Sequence, residues 1–537
     1  MPLAWWHPAP WFTPAMPMPL PISLFQPRAL AQALLLGLAS LAASPALPQS
    51  TVVPASSAGL PNLGDGSDMT PAAERRIGER IARELYRDPD YLDDPVITDY
   101  VQAIWQPLVA AARQRGELPA QLDEAFAWEI LLGRDRSVNA FALPGGYFGL
   151  HLGLVGMVTS RDELASVLAH ELSHVTQRHI SRSMARQAAQ APWLMGAMIL
   201  GLLAASKDPS AAQAAIVGGQ AAAVQSQLNY SRDMEREADR IGFGVQTQAG
   251  FAPQGFVSMF EKLQQSSRLN DTGGFPYLRS HPLTTERIAD MQARVRQSER
   301  ADASPHTTPE HAMVAARARV LSDSAVDTLR VWEAQAQPAN LVRQSAAAQV
   351  GTLYGASFAA LKQRNFGLAQ TTLARLQVRL ASLAPPDLAA LKLARLLALE
   401  LLLAQGDVAQ AQALGQSLSD GSRATLLLRS RIATLAGQGE QTAQTLQTWL
   451  ADHPRDAQAW QALASANAAI GRPVAAVRAE AEVNVAQLDY AAALTRFKAA
   501  QDLARQSRLP ADHIEASIVD TRARQMESLL REQALER

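Results

Sequence analysis

Apolar and polar positions switch between two periods along the first half of the chain. From Pro71, Ile77, Ile81, Leu85 and Tyr86 recur at i, i+4, i+8 and i+9, the stripe of an amphipathic helix. A second helix is expected over Asp94 to Arg115. The period then drops to two: Trp128, Ile130 and Leu132 alternate within Phe126–Leu132, which predicts a strand. Residues 137–154 read as a β element, with Pro144-Gly145-Gly146 at the centre of a hairpin or a bulged edge strand. Ser160-Arg161-Asp162-Glu163 is a capping box and fixes the start of the next helix, whose buried side holds Leu164, Val167, Leu168 and Val175. Helical patterns return over Arg232–Gln248, ended by Gly250 and Pro253, and over Gly255–Leu269. Between them lies an apolar run at 192–205, short of the ~20 residues that span a bilayer. A buried hairpin or a membrane-leaning loop with peripheral lipid contact fits it. Residues 210–227 are rich in Ala, Gly and Gln and read as helix.

From Thr308 the pattern becomes helix after helix, dominated by Ala and Gln. Gly406, Gly439 and Gly471 stand 33 and 32 residues apart, each between two helical patterns. Trp460-x2-Leu463-Ala464-x2-Asn467-x3-Gly471 fits a tetratricopeptide signature with Asn in the Tyr position; Leu403–Asp407 and Leu488–Ala493 are weaker turns of the same unit. Residues 310–537 are therefore expected to form an α-solenoid with a concave face, the alternative being a plain helical bundle. Trp460, Tyr490 and Phe497 suit either a groove or the repeat core.

At 537 residues the chain exceeds a single core, which predicts two or three domains. A net charge of -1 gives no basic excess for nucleic acid or an anionic membrane surface. The absence of cysteine removes disulfides, thiolate zinc sites and cysteine nucleophiles together. Arg28, the apolar run Ala29–Ala43 and Ser44-Pro45-Ala46 read as an export signal cleaved after Ala46, with an uncleaved anchor as the alternative. The residues before Arg28 are atypical of a signal, so Met16 or Met18 is a candidate start. The expected division is a signal peptide with an atypical extension (1–46), a linker (47–70), a first folded domain (71–305) and a repeat domain (310–537). The fold class is mostly α with a small β-sheet (α+β), and either signal reading puts the rest of the chain on the far side of a membrane.

The chemistry centres on His170-Glu171-Leu172-Ser173-His174. Histidines four apart on a helix emerge on one face and can share one zinc ion, with Glu171 placed to take a proton from water. A catalytic zinc wants a third protein ligand. Gln177 and Ile180 occupy the positions where a metzincin needs Gly and His, which excludes that class. His179 should lie off the shared face, as a surface histidine. Glu235 and Asp239, on a second helix and four apart, point the same way, so one can ligate while the other accepts the outer N–H of a ligating histidine. Glu237, about 200° around from Glu235, should face elsewhere.

This His-Glu-x-x-His followed by Glu-x-x-x-Asp resembles the gluzincin family of HtpX and the CAAX prenyl protease. The form Glu-x-Glu-Ala-Asp-Arg-Ile-Gly, the export signal and the tetratricopeptide region look most like its BepA-like periplasmic members, most strongly from Asn139 to Arg287. The resemblance implies a periplasmic localisation and one Zn2+ per chain on His170, His174 and Glu235, with Glu171 and Asp239 as catalytic residues. The segment Ser280–Ile288 also resembles these proteins, and there His281 becomes a latch that can occupy the fourth metal position. The plainer reading is a helix-start histidine ahead of a proline at N1. The implied function is a zinc-dependent endopeptidase acting on misfolded or stalled envelope proteins. A chaperone role and contact with the outer-membrane assembly machinery through the repeats go with it. The alternative is a tetratricopeptide chaperone or scaffold whose zinc site is latched or structural. The edge strand within Asn139–Leu150 could pair with an extended substrate.

Overall fold

Local caps set the first elements. In the computed structural model, which describes residues 69–186, 232–269, 275–298, 306–507 and 510–535, Thr70 accepts from Ala73 N–H and starts α1 (Pro71–Arg87). Ile77 and Ile81 form its buried stripe. Asp94 caps α2 (Pro95–Gln114), which buries Ile104, Trp105 and Leu108. A short helix, α3 (Ala120–Ala125), precedes the sheet.

The sheet has four strands, β1 (Tyr91–Leu92), β2 (Glu129–Gly133), β3 (Ala140–Leu143) and β4 (Tyr147–His151), in the order β1-β2-β4-β3. The expected strand at Phe126–Leu132 begins only at Glu129. Trp128 holds a positive φ of 51°, a left-handed conformation that turns the chain before pairing can start. β2 pairs parallel to β4, Glu129 opposite Tyr147, through a connection that the alternation of side chains did not announce. Pro144-Gly145-Gly146 makes the predicted hairpin turn, and β3 pairs antiparallel to β4 as the edge strand.

Ser160 accepts from Glu163 N–H and starts α5 (Arg161–Thr176), after the short α4 (Leu152–Met157). Glu163 reaches back one residue further than a standard box, to Thr159 N–H at 2.7 Å, and pairs with Lys262 Nζ at 2.6 Å. α6 (His179–Arg186) follows at once. α7 (Arg232–Gln248) and α8 (Gln254–Leu269) both pack on α5. Gly242 permits the close crossing: a Cβ there would lie 3.1 Å from the backbone of Ala169 and His170. α9 (Tyr277–Ser280) and α10 (Thr285–Gln297) close this part of the fold.

From Pro309 to Leu535 helix follows helix, most of them packing on their sequence neighbours. Helix Pro309–Ser322 is buried nearly all round, and one hydrophobic core continues from α2 and α5 through it as far as Ile432. Ion pairs tie the helices to α2 and the sheet. Arg317, 4% exposed, binds Asp94 and Glu400 at 2.8 Å each, and Arg423 binds Asp93 and Asp456. Gly406 and Gly471 are left-handed helix ends, φ 80° and 74°. In the middle turn that role falls to Gly437, φ 81°, while Gly439 starts the next helix against Ile470. Phe497 is fully buried, whereas Trp460 and Tyr490 are half-buried. No helix among the described residues is long and apolar enough to cross a membrane. Residues 1–46, the linker up to 68, the run at 192–205 and the segment at 210–227 lie outside the described residues.

Candidate metal centre

α5 presents His170 and His174 one turn apart, their Nε2 atoms 3.0 Å from each other. α7, held close by Gly242, brings Glu235 over them. Its carboxylate lies 3.6 Å from His170 Nε2 and 3.5 Å from His174 Nε2. His281, at the C-terminal end of α9, adds Nδ1 at 3.3 Å from His170 Nε2 and 3.1 Å from Glu235 Oε1. His281 therefore ends a helical turn. The following helix starts only at Thr285 behind a Thr284 cap, so Pro282 is not a first-turn proline. All four residues are buried, and one donor atom from each lies within 4.8 Å of the others.

The spacing suits a small divalent cation. Four donors at ~2.0–2.1 Å from a tetrahedral zinc stand about 3.3 Å apart, and five separations within the cluster, taken over both Glu235 oxygens, run from 3.0 to 3.6 Å. Charge agrees. Glu171, Glu235 and Asp239 are all at most 2% exposed, and Arg287 is the guanidinium among them. Burial alone would lower the His170 imidazole, but the Asp239 and Glu235 carboxylates push it up to about 9. The cluster thus stabilises a cation at this point, and a proton there competes with a metal for the same lone pair. Burial, aided by the neighbouring His170, drives His174 well below its usual value and keeps it neutral. Burial would raise Glu235, yet His281 and His170 hold it well below the ordinary carboxylate range.

Around this cluster sit the groups that orient it. Asp239 Oδ1 lies 2.9 Å from His170 Nδ1. Arg287 grips Asp239 through two bonds of 2.6 and 2.8 Å, reaches Glu235 at 2.9 Å and donates to the Pro282 carbonyl at 2.8 Å. Glu171 points toward the edge strand: its Oε2 accepts from Ala142 N–H at 3.0 Å, its Oε1 makes no hydrogen bond, and His281 Nε2 is 3.4 Å away. Burial lifts its carboxyl above the ordinary value, only partly opposed by His281 and His170.

One expectation is corrected. His179 is not on the surface: it is fully buried, with Nδ1 2.9 Å from His174 Nδ1. The helix it was projected along stops at Thr176, and Arg178 takes a positive φ of 54° that folds α6 back on α5. Glu237 does face away from the donor cluster, but it binds His179 Nε2 at 3.0 Å. Arg287 was missed as a site residue. Its only mark in the sequence is its place in the segment Ser280–Ile288.

Helix-borne histidine donors, a carboxylate donor on a crossing helix and a carboxylate beside an edge strand define a metallopeptidase domain. Residues 98–295 match the model of peptidase family M48. Relatives extend beyond the domain. The putative beta-barrel assembly-enhancing protease of Vibrio cholerae serotype O1 is 34% identical over 322 residues, 59% of this chain and 63% of its own length. The beta-barrel assembly-enhancing protease of Escherichia coli K12 is 29% identical over 449 residues, 82% of this chain and 87% of its own. The mitochondrial metalloendopeptidase OMA1 of Saccharomyces cerevisiae is 28% identical over 196 residues, 36% of this chain and 54% of its own.

Proposed function

We propose that the chain is a zinc-dependent endopeptidase that cuts extended polypeptide during beta-barrel assembly, with misfolded or stalled envelope proteins as substrates. The observation that carries it is the convergence of one donor atom each from His170, His174, Glu235 and His281, with Glu171 on the same helix as the two histidines of the motif and bonded to the edge strand at Ala142 N–H. Zinc, when bound, would supply Lewis acidity that polarises a carbonyl and lowers the pKa of water toward ~7. Glu171, its Oε2 anchored by Ala142 N–H and its Oε1 facing His281 Nε2 at 3.4 Å, would accept a proton from the attacking water and return it to the leaving amine. Asp239 orients His170, and Arg287 orients Asp239. An extended substrate adds to the outer edge of β3, where backbone pairing gives affinity with little demand on side chains.

In this reading residues 1–46 direct export to the periplasm and 71–305 form the protease domain. Residues 310–537 form a tetratricopeptide-repeat solenoid that meets the outer-membrane assembly machinery and supports a chaperone role. The four-donor spacing also favours a second reading. His281 closes the site, as a fourth protein ligand does in a structural zinc site, and the chain then acts as a scaffold. The two meet if His281 is a latch that leaves the fourth position when substrate enters.

Cleavage of casein by wild type, Glu171→Gln and His281→Ala, with and without a chelator, decides between them. The endopeptidase reading expects chelator-sensitive cleavage by wild type, loss in Glu171→Gln and altered cleavage in His281→Ala. No cleavage by wild type or His281→Ala, with zinc firmly held, selects the scaffold. Unchanged proteolysis and zinc affinity in His281→Ala discards the latch.

A further inference from the structure

The turn after α5 carries groups that touch no donor atom of the cluster and yet converge on one of its histidines. His174 Nδ1 lies 2.9 Å from His179 Nδ1. His179 Nε2 lies 3.0 Å from Glu237 Oε2, and Arg182 Nη1 donates to that same oxygen at 2.9 Å. Both imidazoles are fully buried, and the left-handed Arg178 is what brings the second back onto the first.

Hydrogen-bond chemistry orders the protons. An ionised Glu237, held by Arg182, only accepts, so His179 Nε2 carries the hydrogen. A neutral His179 then offers a lone pair at Nδ1, and the proton between the two rings belongs to His174 Nδ1. His174 Nε2 is thereby left as a bare lone pair facing His170 Nε2 at 3.0 Å. The opposite tautomer of His174 would place a hydrogen where a ligand atom is needed. Asp239 does the equivalent for His170 directly, at 2.9 Å. Three acidic side chains of α7 therefore have three separate tasks: Glu235 faces the donors, Asp239 sets His170, and Glu237 sets His174 through an intervening imidazole.

We propose that His179 and Glu237 are positioning residues that fix the metal-ligating tautomer of His174. This rests on the reading of His170, His174 and Glu235 as zinc ligands. It assigns to the Glu-x-Glu-x-Asp spacing a middle member with its own role, reached only because the chain reverses at Arg178.

The test compares full-length wild type with His179→Ala, His179→Gln, His179→Leu and Glu237→Ala. Zinc affinity is measured by chelator competition, and the cobalt-loaded visible spectrum reports the ligand field. Gln supplies a carbonyl that accepts from His174 Nδ1–H; Leu fills a similar volume and accepts nothing. His179→Ala and His179→Leu are expected to weaken zinc by about 10–100-fold with changed cobalt bands, and His179→Gln to recover most of that loss. Should the Ala variant fail to fold, the Gln–Leu pair decides: Gln tighter than Leu by about tenfold upholds the proposal. Gln and Leu binding equally, or every variant within about twofold of wild type, overturns it. Wild type that binds no zinc would instead sink the ligand assignment beneath it, so the two failures are distinguishable.

Discussion

Replacing Arg287 with alanine should damage the centre more than any surface change could. Arg287 is 5% exposed and makes four polar contacts: two to Asp239, one to Glu235 and one to the Pro282 carbonyl. Alanine leaves Asp239 and Glu235 as buried carboxylates without their guanidinium. Breaking a buried pair by removing one partner costs about 3–5 kcal/mol, because the remaining charge stays desolvated. For a cooperative unit of 150–250 residues each kcal/mol moves Tm by ~2–4 °C, so the transition should fall by about 6–20 °C. Arg287→Lys restores a point charge and loses the fork to Asp239, and it should fall between the two. Thermal unfolding of the zinc-free proteins by scanning calorimetry measures this. A fall of less than about 2 °C for Arg287→Ala would refute the claim that Arg287 compensates buried carboxylates.

Other consequences follow from the same coordinates. Arg317→Met keeps the aliphatic stem but strands Asp94 and Glu400, and should cost about 3–5 kcal/mol, read as a lower urea midpoint. Lys262, Thr159 N–H and Ser258 together outweigh burial and lower the Glu163 pKa. The stability this gives is present above the unfolded carboxylate value of ~4.3 and is lost as pH falls through the lower folded value. Glu163→Gln should therefore cost about 1.5–3 kcal/mol at neutral pH and almost nothing in acid, checked by urea titrations at both.

The site was legible where it depends on helical period and obscure where it depends on a turn. His170, His174, Glu235 and Asp239 follow from four-residue spacing, and the structure brings them together. Ser160 announced the start of α5 through its cap. His179 was misplaced because nothing marks Arg178 as left-handed: the residue that usually signals such an end is glycine, and arginine pays the strain silently. Trp128 hid the true start of β2 for the same reason. The parallel pairing of β2 with β4 was unreadable because it is set by tertiary packing, not by the residues of either strand. Among the helical turns, the Gly406–Gly439–Gly471 spacing came close, but Gly437 supplies the left-handed turn and Gly439 is the first residue of the next helix.

The central claim is that His170, His174 and Glu235, donated by two helices, hold one catalytic ion. Metal content and casein cleavage measured on the same purified samples of wild type and Glu235→Ala test it most directly. Wild type should carry one zinc ion per chain and cleave until chelator is added, and Glu235→Ala should lose both the ion and the cleavage. A Glu235→Ala protein that keeps its zinc as firmly and digests casein at the wild-type rate contradicts the account.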